Sequence, residues 1–379
     1  MEIYFDNSAT TKTADCVNKK MLEVLSDDWG NPSSLHKIGQ NAEKVFKKAK
    51  KVIADEIGAL AEEIYFTSGG TESDNIAILG YARANKKRGM HIISTTAEHP
   101  AVSECLKELE NEGFSVDLLS LDENGNISLD EFESLLREDT ILVSVMHINN
   151  EVGAIFPVDK MKAIMKKKAP RAALHSDCVQ SFLKEKINVK KWDIDMISVS
   201  GHKIHGPKGI GALYVKKGTI IGSTVYGGHQ EKNLRSGTEN VSGAAGMAEA
   251  VLFMKERKAS ALEIKKTLKE KILSSLSDAI VNGDEKASDY ILNMSFLGVR
   301  SEILLHSLEA RGIFVSAGSA CSSNKPSPSK TLTSMGKSAK EIDSAIRFSF
   351  GAYNTVEEAE IAADAVIEEV TKIRKYTRA

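Results

Sequence analysis

Residues 197–215 read ISVSGHKIHGPKGIGALYV: a β-branched run stops at a glycine, and two histidines, two lysines and a second glycine cluster follow. A lysine buried beside the low-dielectric end of a sheet gives up its proton more readily, and the neutral amine can form an imine with an aldehyde. Lys203 holds that position; Lys208, behind Pro207 in the glycine turn, is the alternative and is expected in solvent. In RAALHSDCVQSF (171–182), strand alternation sets His175 and Asp177 on one face and Ser176 and Cys178 on the other. An aspartate that ends an apolar strand needs a cationic partner. That partner is a structural Arg or Lys, a ligand's protonated nitrogen, or, shared with His175, a metal that would still be short of ligands. Cys178 reads as a small buried hydrophobe.

YFTSGGTESDN (65–75) places two glycines between a strand and a helix. It is either a plain turn or a place where backbone N–H groups approach a phosphate closely, and it matches neither a Walker nor a dinucleotide fingerprint. An amine to capture an aldehyde, a carboxylate for a pyridine nitrogen and an anion cradle are together what pyridoxal phosphate requires; NADH or ATP would need neither Lys203 nor Asp177. Three further residues could join them. His99 in TTAEHPAV either stacks on a flat cofactor and shuttles protons or caps the helix that Pro100 opens. Arg347 in SAIRFSFG either holds a substrate carboxylate bidentately or makes an ordinary buried ion pair. Cys321 sits among small residues and two prolines in FVSAGSACSSNKPSPSK, so an accessible loop is expected; access alone does not make a thiol reactive.

The elements that must position these residues follow from patterning. Between residues 63 and 217, short β-rich runs (EIYFT, HIIST, SVDLLSL, TILVSVMHI, RAALHSD, DIDMISVS, GALYVKK) alternate with helical pattern, including a helix over 71–88 with acids at its start and Lys86, Lys87 and Arg88 at its exit. This is the pattern of an α/β fold: a mostly parallel seven-stranded sheet with helices on both faces, whose ligands bind outside the carboxyl ends of the strands. After about residue 247 a long Lys/Glu-rich helical pattern, the strands YILNMSF and IRFSFG, and an amphipathic helix from residue 356 read as a smaller α+β domain. The division expected is a large domain over 15–260 and a small one from 1–14 with 261–379. The lysine runs KVFKKAKK (44–51) and MKKKAPR (165–171) have apolar residues between them at helical spacing and read as solvated helix faces.

The 379 residues are 42% hydrophobic, and 50 basic against 52 acidic side chains leave a formal net charge of −2, which disfavours steering of nucleic acid or anionic lipid and favours small-molecule chemistry. No apolar run has the length of a membrane span, the start MEIYFDNSATTK lacks a signal-peptide pattern, and a cytoplasmic location is expected. Four cysteines (16, 105, 178 and 321) lie far apart without a CxxC pair, so neither a zinc knuckle nor a disulfide framework is indicated.

Ten stretches in order, YFDNSATT, GNPSSLH, FTSGGTESDN, AEHPAV, MHINNEVG, HSDCVQ, SGHKIHGPKGIGALY, RSGTEN, SAGSACSS and IRFSFG, resemble the cysteine desulfurases of the NifS/IscS kind. These lie within the class V aminotransferase group of fold-type I pyridoxal-phosphate enzymes, and the resemblance covers nearly the whole chain. It implies that Lys203 binds the cofactor's aldehyde, Asp177 pairs with its pyridinium nitrogen, Gln180 bonds its phenolic oxygen and His99 stacks on its ring. It implies that Gly70, Thr71, Ser200 and His202 hold the phosphate, with Thr238 arriving from the second subunit of a homodimer. Asn150 and Arg347 would orient the carboxylate of L-cysteine, and Cys321 would accept its sulfur as a persulfide. The same resemblance admits a selenocysteine lyase, or another class V enzyme that does not need Cys321. Ser176 and Cys178 stand where an apolar residue and alanine are usual, on the face turned from the ring. SSNKPSPSK (322–330) is basic where the loop is usually acidic, which resembles desulfurases that supply tRNA-thiolation enzymes rather than an iron–sulfur scaffold.

Overall fold

The structure is a computed structural model that describes residues 2–257, 260–317 and 328–377. Strand β1 (Ile3–Tyr4) opens the chain, and β2 (Ile64–Thr67), β3 (His91–Thr95), β4 (Ser115–Leu119), β5 (Thr140–Ser144), β6 (Ala173–Asp177), β7 (Met196–Ser200) and β8 (Gly211–Val215) form one sheet in the order β2-β8-β7-β6-β5-β3-β4. The neighbours from β7 through β6, β5 and β3 to β4 are parallel. Only β8 runs against the rest, pairing antiparallel with β2 and β7. The strands β3, β5, β6, β7 and β8 are buried along their whole length, as helices on both faces require. The expected mostly parallel seven-stranded sheet is therefore the sheet observed.

The helix Lys37–Ile57 shows how its residues make it: Ala42, Phe46, Ala49, Ile53 and Ile57 recur every three or four positions and face the core, while Lys44, Lys47, Lys48 and Lys51 face solvent. Lys50 turns inward instead and pairs with the buried Glu231. The helix expected over 71–88 differs in two ways. It is α-helical over Gly70–Asn75, widens to a π-helical turn over Ile76–Gly80, and resumes over Tyr81–Asn85, ending three residues early. The end falls there because the Asn85 amide donates to the carbonyls of Tyr81 and Ile220, taking the place of a further helical turn.

Strands β9 (Ala279–Val281), β10 (Ile291–Phe296), β12 (Ser316–Ala317) and β13 (Ala345–Ser349) build an antiparallel sheet in the order β12-β13-β10-β9, and β11 (Ile313–Phe314) pairs with β1. Ile3 and Phe5 pack in one hydrophobic cluster with Ile264, Leu268, Met294, Phe348 and Val366, from the helix Ala261–Ser275, β10, β13 and the helix Val356–Thr377. A separate cluster on the large sheet joins Ile93, Val143, Leu174 and Val199 to Phe46 and Met247. Among the described residues, no helix is long and apolar enough to cross a membrane.

Candidate active site

The carboxyl ends of β6 and β7 bring Asp177 and Ser200 to the same edge of the sheet, Asp177 being in register with Ser198 and Ser200 two residues further on. Beyond Ser200 the chain makes the tight turn Gly201–Lys203, closed by Gly206 N–H donating to Gly201 O at 2.9 Å. A Cβ on Gly201 would lie 2.9 Å from Ile210 Cγ2 and 3.1 Å from Pro207 O, so only glycine lets the strand end turn this sharply. The turn aims Lys203 into a cavity of about 330 Å3.

Lys203, Asp177, His99, Gln180, Gly70, Thr71, Ser200, His202, Asn150 and Arg347 all line that cavity. Lys203 Nζ donates to the carbonyls of Ser8 and Ala9, the latter at 2.7 Å. Asp177 Oδ1 accepts from Val179 N–H at 2.8 Å, and burial holds its carboxyl above the usual range against the opposing pull of His99 and Lys203. His99 caps the helix Pro100–Asn111, its Nδ1 accepting from Ala101 N–H at 3.1 Å, and also faces the cavity, so both readings of this residue hold geometrically. Burial lowers its pKa, which keeps the ring neutral. His202 Nδ1 lies 3.1 Å from Thr10 Oγ1, and burial, then the charges of Lys203, Lys208 and Lys184, push its pKa down to about 4. Gln180 Nε2 donates to Ser8 O at 2.9 Å.

Arg347 is buried. Its Nη2 donates to Asp6 Oδ1 at 2.8 Å and its Nη1 to Asn150 O at 3.0 Å, so the ion-pair reading of this residue is met while its guanidinium still reaches the cavity. His175 shares the face of Asp177, but its ring nitrogens lie 2.9 Å from Ser144 Oγ and 3.0 Å from Ser198 Oγ. Among the described residues no group of three His, Cys, Asp or Glu side chains could hold a metal ion. Cys178 is fully buried, as expected of a small hydrophobe. Lys208 is exposed.

Two expected residues stand apart. Thr238 is exposed and does not line the cavity of its own chain, and Cys321 lies outside the described residues. Sequence reasoning missed others. Ser8 and Ala9 wall the cavity from the N-terminal segment, and Asp74 enters it from the first helical turn after β2. The motifs YFDNSATT and TESDN hold these residues, but nothing local marks a backbone carbonyl as the acceptor for an amine 195 positions away.

The wall carries unmet polar demand. Ser8 Oγ and Arg347 Nε are buried and have no hydrogen-bond partner among the described residues. Gly70 opens the cradle: a Cβ there would sit 2.7 Å from Val179 Cγ2. An amine, a buried carboxylate, a neutral imidazole, a glycine-started helix and a guanidinium around about 330 Å3 fit an aromatic aldehyde bearing a phosphate, together with a small carboxylate substrate.

Known proteins are similar along the whole chain. Residues 3–361 match the model of the family described as "Aminotransferase class-V". A "Putative cysteine desulfurase IscS 1" of Bacillus subtilis is 42% identical over 377 residues, covering 98% of this chain and 99% of the relative. A "Cysteine desulfurase IscS" of Methanosarcina thermophila is 40% identical over 381 residues, covering 99% and 93%. The solved structure of a "NIFS-LIKE PROTEIN" superposes with a TM-score of 0.91 at 37% identity, over 98% of this chain and 100% of that one. One titled "SspA in complex with cysteine" superposes at 0.83 with 34% identity, over 94% and 100%. With the strand ends, the lysine turn and the family match all in agreement, the chain belongs to the class-V aminotransferases, among the relatives of their cysteine desulfurases.

Proposed function

We propose that this chain is a pyridoxal-phosphate-dependent cysteine desulfurase. It converts L-cysteine to L-alanine and leaves the sulfur as a persulfide on Cys321. The observation that carries this reading is the meeting of the Lys203 amine, the Asp177 carboxylate and the Arg347 guanidinium on one cavity.

In this reading Lys203 would bind the cofactor's aldehyde until the amine of L-cysteine takes its place and frees it, Asp177 would face the ring nitrogen, Gln180 would donate to the phenolic oxygen and His99 would lie on the ring. Gly70, Thr71, Ser200 and His202 hold its phosphate, joined by Thr238 of the partner subunit. When bound, pyridoxal phosphate supplies an electron sink for the carbanion formed at the substrate's α-carbon. Arg347 and Asn150 orient the substrate carboxylate. The Lys203 amine takes the α-proton. The Cys321 thiolate attacks the substrate sulfur, forming the S–S bond as the C–S bond breaks; that bond's electron pair stays with carbon and is protonated there. The sum is one cysteine and one thiol giving one alanine and one persulfide, with no external oxidant or reductant.

The homodimer is supported by apolar side chains left in solvent close together in sequence, Leu22, Leu25, Trp29 and Leu35, the last 92% exposed, and by Thr238 standing outside its own cavity. The cluster that joins Ile3 and Phe5 to residues of 261–379 supports grouping 1–14 with the small domain and 15–260 as the large one, while Leu332, Met335 and Ala345 pack with the large-sheet cluster across that division. Buried free thiols at Cys105 and Cys178 support a reducing cytoplasmic setting. The basic stretch 322–330 favours a tRNA-thiolation enzyme over an iron–sulfur scaffold as sulfur acceptor.

The test is the absorbance spectrum of the purified protein before and after L-cysteine, with sulfide and alanine measured alongside. Borohydride reduction and peptide mass analysis should place the pyridoxyl group on Lys203; its absence there overturns the reading. Cys321→Ala should abolish persulfide formation. Undiminished turnover of L-cysteine in that variant would instead point to a lyase. Transfer of labelled sulfur to a purified scaffold but not to a thiolation enzyme would reverse the acceptor assignment.

A further inference from the structure

Four residues beyond Gln180 the chain carries a lysine that the assigned roles leave unused. Leu183 takes φ 64°, a left-handed conformation unfavourable for a residue with a side chain, and the turn it makes sends Lys184 back toward Gln180. Lys184 Nζ donates to Gln180 Oε1 at 3.3 Å and sits 5.6 Å from the centre of the Tyr290 ring. It forms no ion pair among the described residues.

The consequence concerns direction. The two ends of a glutamine amide have nearly the same shape but opposite hydrogen-bonding character, and only the partners decide which way the group points. An ammonium has donors and no acceptor, so it fixes the oxygen end of the Gln180 amide toward itself. The nitrogen end is then turned to Ser8 O, the same carbonyl that receives Lys203 Nζ. Held this way, Gln180 offers N–H to the cavity. Flipped, it would put its oxygen against the Ser8 carbonyl and against any anionic oxygen bound beside Lys203.

We propose that Lys184 is a positioning residue that fixes the orientation of the Gln180 amide, so that Gln180 presents a donor to the phenolic oxygen of the cofactor. The proposal rests on the reading of Gln180 given above. The charged and titratable groups around the Lys184 amine are Lys203 and Arg347, with His202 and His205 also within its field. Burial first, and then Lys203 and Arg347, lower its pKa to about 7. The neutral amine still donates, but its lone pair can also accept, so the hold on the oxygen end of Gln180 is firmest while the amine is protonated.

The test compares the holoenzyme with Lys184→Met, Lys184→Arg, Gln180→Ala and the double variant Lys184→Met/Gln180→Ala. The readouts are the pH midpoint and wavelength of the cofactor absorbance band, and the retention of pyridoxal phosphate on dilution. Loss of an oriented donor to a charged oxygen should weaken retention about tenfold in Lys184→Met. The band should shift in that variant as it does in Gln180→Ala, Lys184→Arg should restore both properties, and the double variant should match Gln180→Ala alone. Additive shifts in the double variant, or a band in Lys184→Met like that of the parent, overturn the proposal. Should the methionine variant fail to fold, Lys184→Gln carries the same test, because its amide can donate or accept and cannot hold Gln180 one way; a parent-like band there overturns the proposal. A parent protein with no band at all removes the reading of Gln180 and the proposal with it.

Discussion

Arg347 and Asp6, 341 residues apart in sequence, form an ion pair at 2.8 Å between a buried guanidinium and a half-buried carboxylate, which holds the guanidinium in place before any substrate arrives. Asp6 and the carbonyl of Asn150 each take one N–H, and Nε is left buried without a partner among the described residues. A guanidinium has five N–H donors, so three remain for a carboxylate. Arg347→Lys keeps the charge but loses the planar fork. It should raise KM for L-cysteine roughly 30-fold, the equivalent of about 2 kcal/mol, with a smaller effect on kcat. Asp6→Ala leaves the charge and loosens its placement, and should raise KM less than tenfold. Steady-state kinetics of the two variants check the order; equal KM values in Arg347→Lys and the parent would remove Arg347 from substrate binding.

His99 does two things at once, and two substitutions separate them. Its Nδ1 caps the helix Pro100–Asn111 while its ring faces the cavity. Asparagine is a good N-cap but has no ring, so His99→Asn should keep the thermal midpoint while kcat falls about a hundredfold. His99→Ala loses the cap as well, at a cost of about 1 kcal/mol, and its midpoint should fall by roughly 2 °C. Melting curves and kcat measured on both proteins decide the matter. Equal losses of stability in the two variants would show that the cap is not what the side chain contributes to the fold.

These residues also show what could be read before folding and what could not. Lys203, Asp177 and His99 each follow a recognisable β-rich run, and in a parallel sheet the carboxyl ends of the strands lie together, so local pattern alone brought them to one region. The carbonyls of Ser8 and Ala9 had no such mark. They reach Lys203 because Asn7 and Ser8 are bonded to Ser349, a contact across nearly the whole chain. Asp74 was hidden for a different reason: in sequence it is one more acid at a helix start, and only folding turns it into the cavity. The π-helical turn at Ile76–Gly80 likewise depends on packing, since Gly80 lies against the backbone of Gly222, where a Cβ would be 2.4 Å from the carbonyl oxygen. Helical periodicity cannot foresee a neighbour supplied 142 residues later.

Buried ionisable groups should give the protein a stability maximum near neutral pH. Burial raises the Glu98 pKa to about 8, so between its ordinary value near 4.5 and about 8 the folded state holds a proton that the unfolded state has lost. Its contribution is fully present below about 4.5 and is lost as pH rises through about 8. His147 and His202, both pushed down to about 4 by burial, work in the opposite direction: the unfolded state binds protons below about 6.5, so stability falls as pH drops from there toward 4. Glu98→Gln retains an oxygen for the Met146 N–H and Thr95 hydroxyl that Glu98 Oε1 now accepts. The variant should keep the acid-side loss and show a flatter decline on the alkaline side. Thermal midpoints from pH 4 to 9 on the two proteins provide the check; parallel alkaline limbs would show that Glu98 does not titrate there.

Glu151 ties residues 329–331, which follow Cys321 in sequence, to the cavity wall. Its Oε1 accepts from Thr331 Oγ1 at 3.0 Å and its Oε2 from Ser329 Oγ at 2.5 Å, while Asn149 Nδ2 donates to Thr331 Oγ1 at 3.3 Å. Asn149 and Glu151 flank Asn150, which lines the cavity, and Ser329 stands eight positions after Cys321 in sequence. The carboxylate therefore fixes the described residues that follow the stretch holding Cys321, the proposed sulfur acceptor. Burial raises the Glu151 pKa, opposed by these two hydroxyl donors and by the charge of Arg347. Glu151→Ala removes these two hydrogen bonds and replaces none of the residues that line the cavity, although it also takes a carboxylate from the neighbourhood of Arg347. The cofactor absorbance band and the binding of L-cysteine should stay as in the parent, while persulfide formation on Cys321 slows about tenfold, the loss expected when positioning worth roughly 1.4 kcal/mol is given up. Single-turnover measurement of alanine release against the band change separates the two steps. Parent-like alanine release would show that Cys321 does not depend on this anchor, and a changed band would show that Glu151 acts on the cofactor pocket itself.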